Sequence, residues 1–184
     1  NLSGEISTWF RKDPEAALAW FREKSAKGEL TGESLRDSPK TYLTIGLARC
    51  LLETDRKAAL SIIEDVDPLN RGTVISDLAP SLSLGERESW PEVQNLINSL
   101  TDIDERMRAM GSMATWLIIR DHDAVGPFLE GLEMSDLESS HALAKAASAG
   151  VHERPESIVE RMTWLAKVAT PRQLDEAVKR AVGP

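Results

Sequence analysis

The chain has 184 residues, 41% of them hydrophobic and 28% charged, with a formal charge of −8. This composition belongs to a globular domain rather than a disordered segment. The acidity argues against a sequence-independent grip on nucleic acid, which needs dense Lys and Arg to displace phosphate counterions, and the longest apolar runs, such as Met113 to Ile119, are far too short to cross a bilayer.

Apolar residues recur at three- and four-residue steps, and no stretch alternates with period two for long, so helices are predicted throughout. An opening helix near 3–12 is broken at Asp13-Pro14, where Asp can cap and Pro suits a first turn. The next helix runs to about Lys27-Gly28, and the polar stretch Gly28 to Ser38 reads as a long loop. Ser38-Pro39 starts a helix ending near Thr54, and Asp55 caps its partner. Asp67-Pro68 ends that partner and leads into a helix over about 69–84, which Pro80 is expected to kink or shorten by removing one backbone donor. Further helices are predicted from Ser89 to Leu100, from a Thr101-Asp102 cap to Ile119, over roughly 121–131, 135–149 and 154–168, and after Thr170-Pro171. That makes eleven.

One phrase recurs. It is clearest in Asp13-Pro14-Glu15-Ala16-Ala17-Leu18 and Asp55-Arg56-Lys57-Ala58-Ala59-Leu60, with echoes beginning at Ser89, Asp121 and Arg154. The starts lie 42, 34, 32 and 33 residues apart, a period that marks stacked helix pairs, each unable to bury its apolar face alone. The expected fold is all-α: an α-α superhelix, a right-handed solenoid of about five antiparallel helix pairs. It is read as one domain, 1–184, with units 1–27, 38–66, 67–100, 101–132 and 133–169 and a capping helix at 171–182.

Alternate helices align in rows. Ala48, Ala79, Ala114 and Ala147 form one; Leu47, Leu78, Met113 and Ala146 another; Leu51, Leu82, Leu117 and Gly150 a third. The partner helices give Ala17, Ala59, Val93, Val125 and Ile158, then Phe21, Ile63, Ile97, Leu129 and Met162. These rows are expected to face neighbouring repeats. Trp20 and Trp116 follow the same core periodicity, whereas Trp9, Trp90 and Trp164 are expected at partly exposed seams. Other rows change chemistry from repeat to repeat: Tyr42, Thr73, Arg108, His141; then Gly46, Asp77, Ser112, Lys145; then Arg49, Pro80, Thr115, Ser148. Positions i, i+4 and i+7 share a helix face. This polar stripe is the candidate binding surface, with Tyr42, Arg49, Asp77, Arg108, His141 and Lys145 its principal members.

The phrase from Asp55 to Leu60, running on to Asp67-Pro68-Leu69-Asn70, resembles tetratricopeptide-type repeats, in which an acidic turn precedes an Ala-rich second helix. Asp13 to Trp20 is similar to phrases in bacterial α-solenoid proteins. The Trp and Leu-Gly signature of the tetratricopeptide first helix is missing at its usual spacing, and repeat lengths run from 31 to 42 against 34, so irregular HEAT-like stacking is equally admissible. The resemblance implies a protein-interaction scaffold.

Phosphate-cradling glycine loops, the Gly-x-Ser-x-Gly elbow and the His-Glu-x-x-His zinc motif are absent. Asp121-His122-Asp123 offers three metal-ligand types in succession, but adjacent helical residues diverge by about 100°, so Asp121 reads as a helix cap and no metal or cofactor is expected. Asp65 with Asp67, and Asp102 with Asp104, read as charges favoured near helix starts. The single cysteine, Cys50, reads as a buried thiol that favours a reducing compartment such as the cytoplasm. A chain starting at Asn1 leaves a periplasmic or secreted location open. The reading is a non-catalytic scaffold for a protein or peptide. The alternatives are an enzyme or small-ligand receptor with a site between helix pairs, and a structural spacer in a longer chain.

Overall fold

The computed structural model describes residues 2–30, 39–84, 87–148 and 157–182. Eleven α-helices and no strand occur among them. They are α1 (Leu2–Lys12), α2 (Pro14–Ala26), α3 (Pro39–Thr54), α4 (Arg56–Glu64), α5 (Pro68–Leu82), α6 (Trp90–Asn98), α7 (Ile103–Arg120), α8 (His122–Glu130), α9 (Asp136–Ser148), α10 (Ser157–Val168) and α11 (Pro171–Val182), with a 3-10 turn at Arg87–Ser89 before α6. The chain divides into two compact units, Asn1–Leu82 and Ser83–Pro184. That boundary falls inside the 67–100 segment read from the sequence.

The recurring Asp phrase makes the same kind of joint at three starts, with the cap bond to the third residue on at Asp13 and Asp55 and to the second at Asp121. Asp13, Asp55 and Asp121 each sit at a one-residue joint: the backbone N–H still donates to the helix before (to Trp9, Leu51 and Leu117 oxygens at 2.9, 2.7 and 2.8 Å), while the carboxylate accepts from the helix after. Those acceptor contacts run from Ala16, Ala58 and Asp123 N–H, all at 3.0 Å. Aspartate suits the joint because a short acidic side chain can satisfy an orphan N–H and complement the positive helix N-terminus. Ser89 at the weaker echo makes no side-chain cap bond. The echo at Arg154, the turn at His152-Glu153 and most of the predicted 28–38 loop lie outside the described residues. The start of that loop is a Schellman end to α2. Gly28, at φ 71°, donates to Ser25 O and Glu29 donates to Lys24 O, both at 3.0 Å, which closes orphan carbonyls through a conformation that glycine adopts without strain. Helix α5 continues through Pro80 and ends two residues later.

In the first unit α3 is central, packing on α1, α2, α4 and α5. Leu47, Ala48, Leu51, Ala59, Ile63, Leu78, Ala79 and Leu82 are buried there, as the row alignment expects. In the second unit α9 lies between α7 and α11, and α8 packs against both α7 and α10. Its core contains Val93, Ile97, Met113, Ala114, Leu117, Val125, Ala146 and Ala147. Gly150 and the side chain of Ile158 are outside the description. Bonds from Arg106 to Glu138 and from Thr115 to Lys145 O advance in the same direction, so α7 and α9 run parallel.

Trp9 is half-buried, as expected of a seam, and Trp20 is half-buried rather than enclosed, but the other three tryptophans reverse the expectation. Trp90 and Trp164 are buried, at 7% and 6% exposure, whereas Trp116 is 38% exposed. Trp90 stacks edge-on against Phe128 at 5.7 Å and is covered by the Arg87 guanidinium at 5.5 Å. Periodicity places Trp116 beside the core residue Leu117, but the arc it occupies lies at the boundary of the core rather than in it.

Candidate functional site

The second unit holds a recess of about 470 Å³ between α7 and α9. Helix α7 supplies Asp104, Met107, Arg108, Gly111, Ser112, Thr115 and Trp116, and α9 supplies His141 and Lys145. Five members of the sequence-read polar stripe, Arg108, Ser112, Thr115, His141 and Lys145, therefore line one concavity. The floor depends on Gly111. A Cβ built there would stand 3.1 Å from Lys145 Cγ and 3.3 Å from His141 Nε2, tight contacts that the two α9 side chains would have to relieve by moving a few tenths of an ångström. A smaller recess of about 160 Å³ lies between α9 and α11, lined by Asp136, Leu137, Ser140, Thr170, Arg172 and Gln173.

Below the larger recess, the α7–α9 contact is locked by a part-buried ion pair. Arg106 Nε donates to Glu138 Oε1 at 2.8 Å, and the same guanidinium donates to the Glu133 carbonyl. The second Glu138 oxygen accepts from the N–H and hydroxyl of Ser135 at 2.8 and 2.7 Å, a capping box at the start of α9. Burial alone would raise the Glu138 carboxyl; the Ser135 bonds and the Arg106 charge outweigh it and hold the group below its ordinary value. Thr170 and Gln173 form the same box on α11, with contacts of 2.9 and 3.3 Å, and Gln173 Nε2 reaches back to Ser139 on α9 at 3.0 Å. Glu138 and Gln173 thus each cap their own helix and tie it to the helix two before it in the chain.

Among the cations facing the recess, Arg108 lies 3.6 Å from Glu105 on its own helix, and Lys145 Nζ has no carboxylate partner among the described residues. In the first unit, Arg49 Nη2 reaches Asp77 O at 3.5 Å, joining α3 to α5, and Tyr42 is 61% exposed on α3. The structure thus brings Arg108, His141 and Lys145 together in one unit, and Arg49 and Asp77 in the other. Sequence reasoning missed Asp104, Met107, Gly111 and Trp116. The first is one turn before Arg108 and the last one turn after Ser112, so helical spacing alone could have added them.

Asp121 acts as a cap and also meets Arg87 at 3.3 Å. No group of three or more His, Cys, Asp or Glu that could hold a metal occurs among the described residues. Cys50 is half-buried, and burial pushes its thiol up, away from the thiolate form. No described helix is long and apolar enough to cross a membrane. Comparison with protein families, with curated proteins and with solved structures finds no match to this chain.

Proposed function

We propose that this protein is a helical-repeat scaffold of the α-α superhelix type, akin to tetratricopeptide-like or HEAT-like arrays. In this reading it binds a protein or peptide partner and performs no catalysis. The observation that carries the binding reading is the convergence of Arg108, Ser112, Thr115, His141 and Lys145 on one recess, because residues of varying chemistry on a common scaffold face are how repeat arrays encode partner choice. The repeat reading is supported by tertiary hydrogen bonds of the second unit that span similar intervals: 34 residues for Gln94 to Phe128, 32 for Arg106 to Glu138 and 34 for Gln173 to Ser139. Those intervals match the 31- to 35-residue steps of the sequence rows.

The test is a displayed peptide library panned against the intact protein, with binding located by backbone amide shifts. Selected peptides are expected to move the Gly111 and Thr115 signals, and Arg108→Glu is expected to change which peptides are selected. Peptides that move only amides outside α7 and α9 would show that this face is not the binding surface.

A further inference from the structure

We propose that the occupant of the α7–α9 recess is an acidic peptide segment, held with its carboxylates over Arg108 and Lys145 and an apolar side chain against Trp116. This rests on the peptide-binding reading above and specifies its ligand.

Three features lead there. The recess follows α7 from Asp104 to Trp116, twelve residues, which at helical rise is about 18 Å and accommodates about five extended residues. Its charge runs against that of the chain: in a protein of formal charge −8, the recess presents two cations, Arg108 and Lys145, against the single lining carboxylate of Asp104, with the polar His141 ring beside them. Glu105, buried on the same helix 3.6 Å from Arg108, offsets part of the guanidinium charge, whereas Arg108 itself stays exposed to an incoming carboxylate. The lining is also graded along α7. The carboxylate stands at the N-terminal end, the cations in the middle, and the half-exposed indole of Trp116 at the C-terminal end. An arginine fork matches a carboxylate in two hydrogen bonds, and an aromatic ring gives an adjacent apolar side chain a flat, rigid contact. A nucleic-acid strand fits less well, because its backbone needs a continuous cationic track and this recess has two fixed cations and an acidic end.

The experiment uses the intact chain and three pools of N-acetylated, C-amidated pentapeptides, each with one Leu and either two Glu, two Gln or two Lys. Affinities are read by titration and the site by amide shifts at Gly111 and Thr115. The Glu pool is expected to bind tightest, to lose affinity as salt rises, and to weaken about fivefold with Arg108→Glu. The double charge reversal Arg108→Glu with Lys145→Glu is expected to invert the order and favour the Lys pool, a gain that misfolding cannot produce. If the Gln or Lys pool binds the unaltered recess as tightly as the Glu pool, the acidic ligand is wrong while peptide binding stands. If no pool moves α7 or α9, both readings fall. If oligouridylate moves Gly111 more strongly than the Glu pool, the ligand is a nucleic acid and the proposal is overturned.

Discussion

Helix α4 in the first unit and helix α8 in the second are each nine residues long, and each begins at an aspartate that also ends the helix before it. They differ in how their last carbonyls are satisfied. In the first unit cations do it: Arg71 Nη2 donates to Glu64 O at 2.7 Å and Val66 O at 3.1 Å, and Lys40 Nζ donates to Asp65 O at 3.0 Å. In the second unit side-chain amides take most of that role. Gln94 Nε2 donates to Phe128 O at 2.8 Å, Asn98 Nδ2 donates to Gly131 O at 3.4 Å, and Asn98 Oδ1 accepts from Glu133 N–H at 3.0 Å. A long cation reaches its carbonyl from the surface and complements the negative helix end. A buried amide must be placed by its surroundings, and the Gln94 amide occupies the space a Cβ on Gly131 would need, 2.1 Å away. Position 131 therefore has no room for a side chain unless the Gln94 amide leaves the Phe128 carbonyl.

That contrast can be tested by removing its parts in order of expected effect. Glu138→Ala strands the Arg106 guanidinium and removes the α9 capping box, so a loss of about 3 kcal/mol is expected in urea denaturation. Hydrogen exchange should place the loss in α9, and an equal loss in α3 would show that the contrast between units does not hold. The same carboxylate sets an acid limit. Its pKa is lower in the folded state than in the unfolded chain, so its stabilisation is complete above the unfolded value and is lost as pH falls through the folded one. Glu138→Gln should flatten the acid limb of the stability profile of α9.

Next comes Gly131→Ala, which evicts the Gln94 amide and leaves the Phe128 carbonyl unsatisfied, at about 2 kcal/mol. In a Gln94→Ala background the same change should cost less than half as much, because the clash is gone; equal costs in both backgrounds would show that the amide is not what Gly131 accommodates. Arg71→Met in the first unit is expected to cost about 1 kcal/mol, since water can reach the freed carbonyls. Smallest are the joints. Asp55→Ala and Asp121→Ala should each cost roughly 1 kcal/mol or less by thermal denaturation, and a clear difference between them would show that the shared geometry hides unequal roles.

Much of this architecture is legible in the sequence. The aspartate joints announced themselves because a helix start needs an acceptor for orphan N–H groups, a local requirement carried by one residue. The Ala48 and Leu47 rows were legible for a similar reason: helical period and small size together mark close helix contact, and the row members described are buried. One regular signal in the sequence has a meaning that only the packing discloses. Asp102 to Glu105, Ser135 to Glu138 and Thr170 to Gln173 repeat the same acceptor-x-x-Glu/Gln spacing at the starts of α7, α9 and α11, and Glu105 and Glu138 are buried. The dual use of Glu138 and Gln173, capping one helix while bonding the helix two before it, requires knowing which helices are neighbours.

The sequence by itself determined that the chain is helical, where most helices begin and end, and which small and apolar rows form the core, because capping, periodicity and propensity act within a few residues of one another. Only the tertiary structure decided which stripe residues meet. Arg108, His141 and Lys145 share a recess because α7 and α9 run parallel over Gly111, and Arg49 and Asp77 meet in the first unit through a backbone carbonyl. Tertiary packing also decided that Trp90 is enclosed and Trp116 is left at the surface. Such outcomes depend on distances between segments some thirty residues apart, and helical periodicity carries the direction of a side chain but not what stands opposite it.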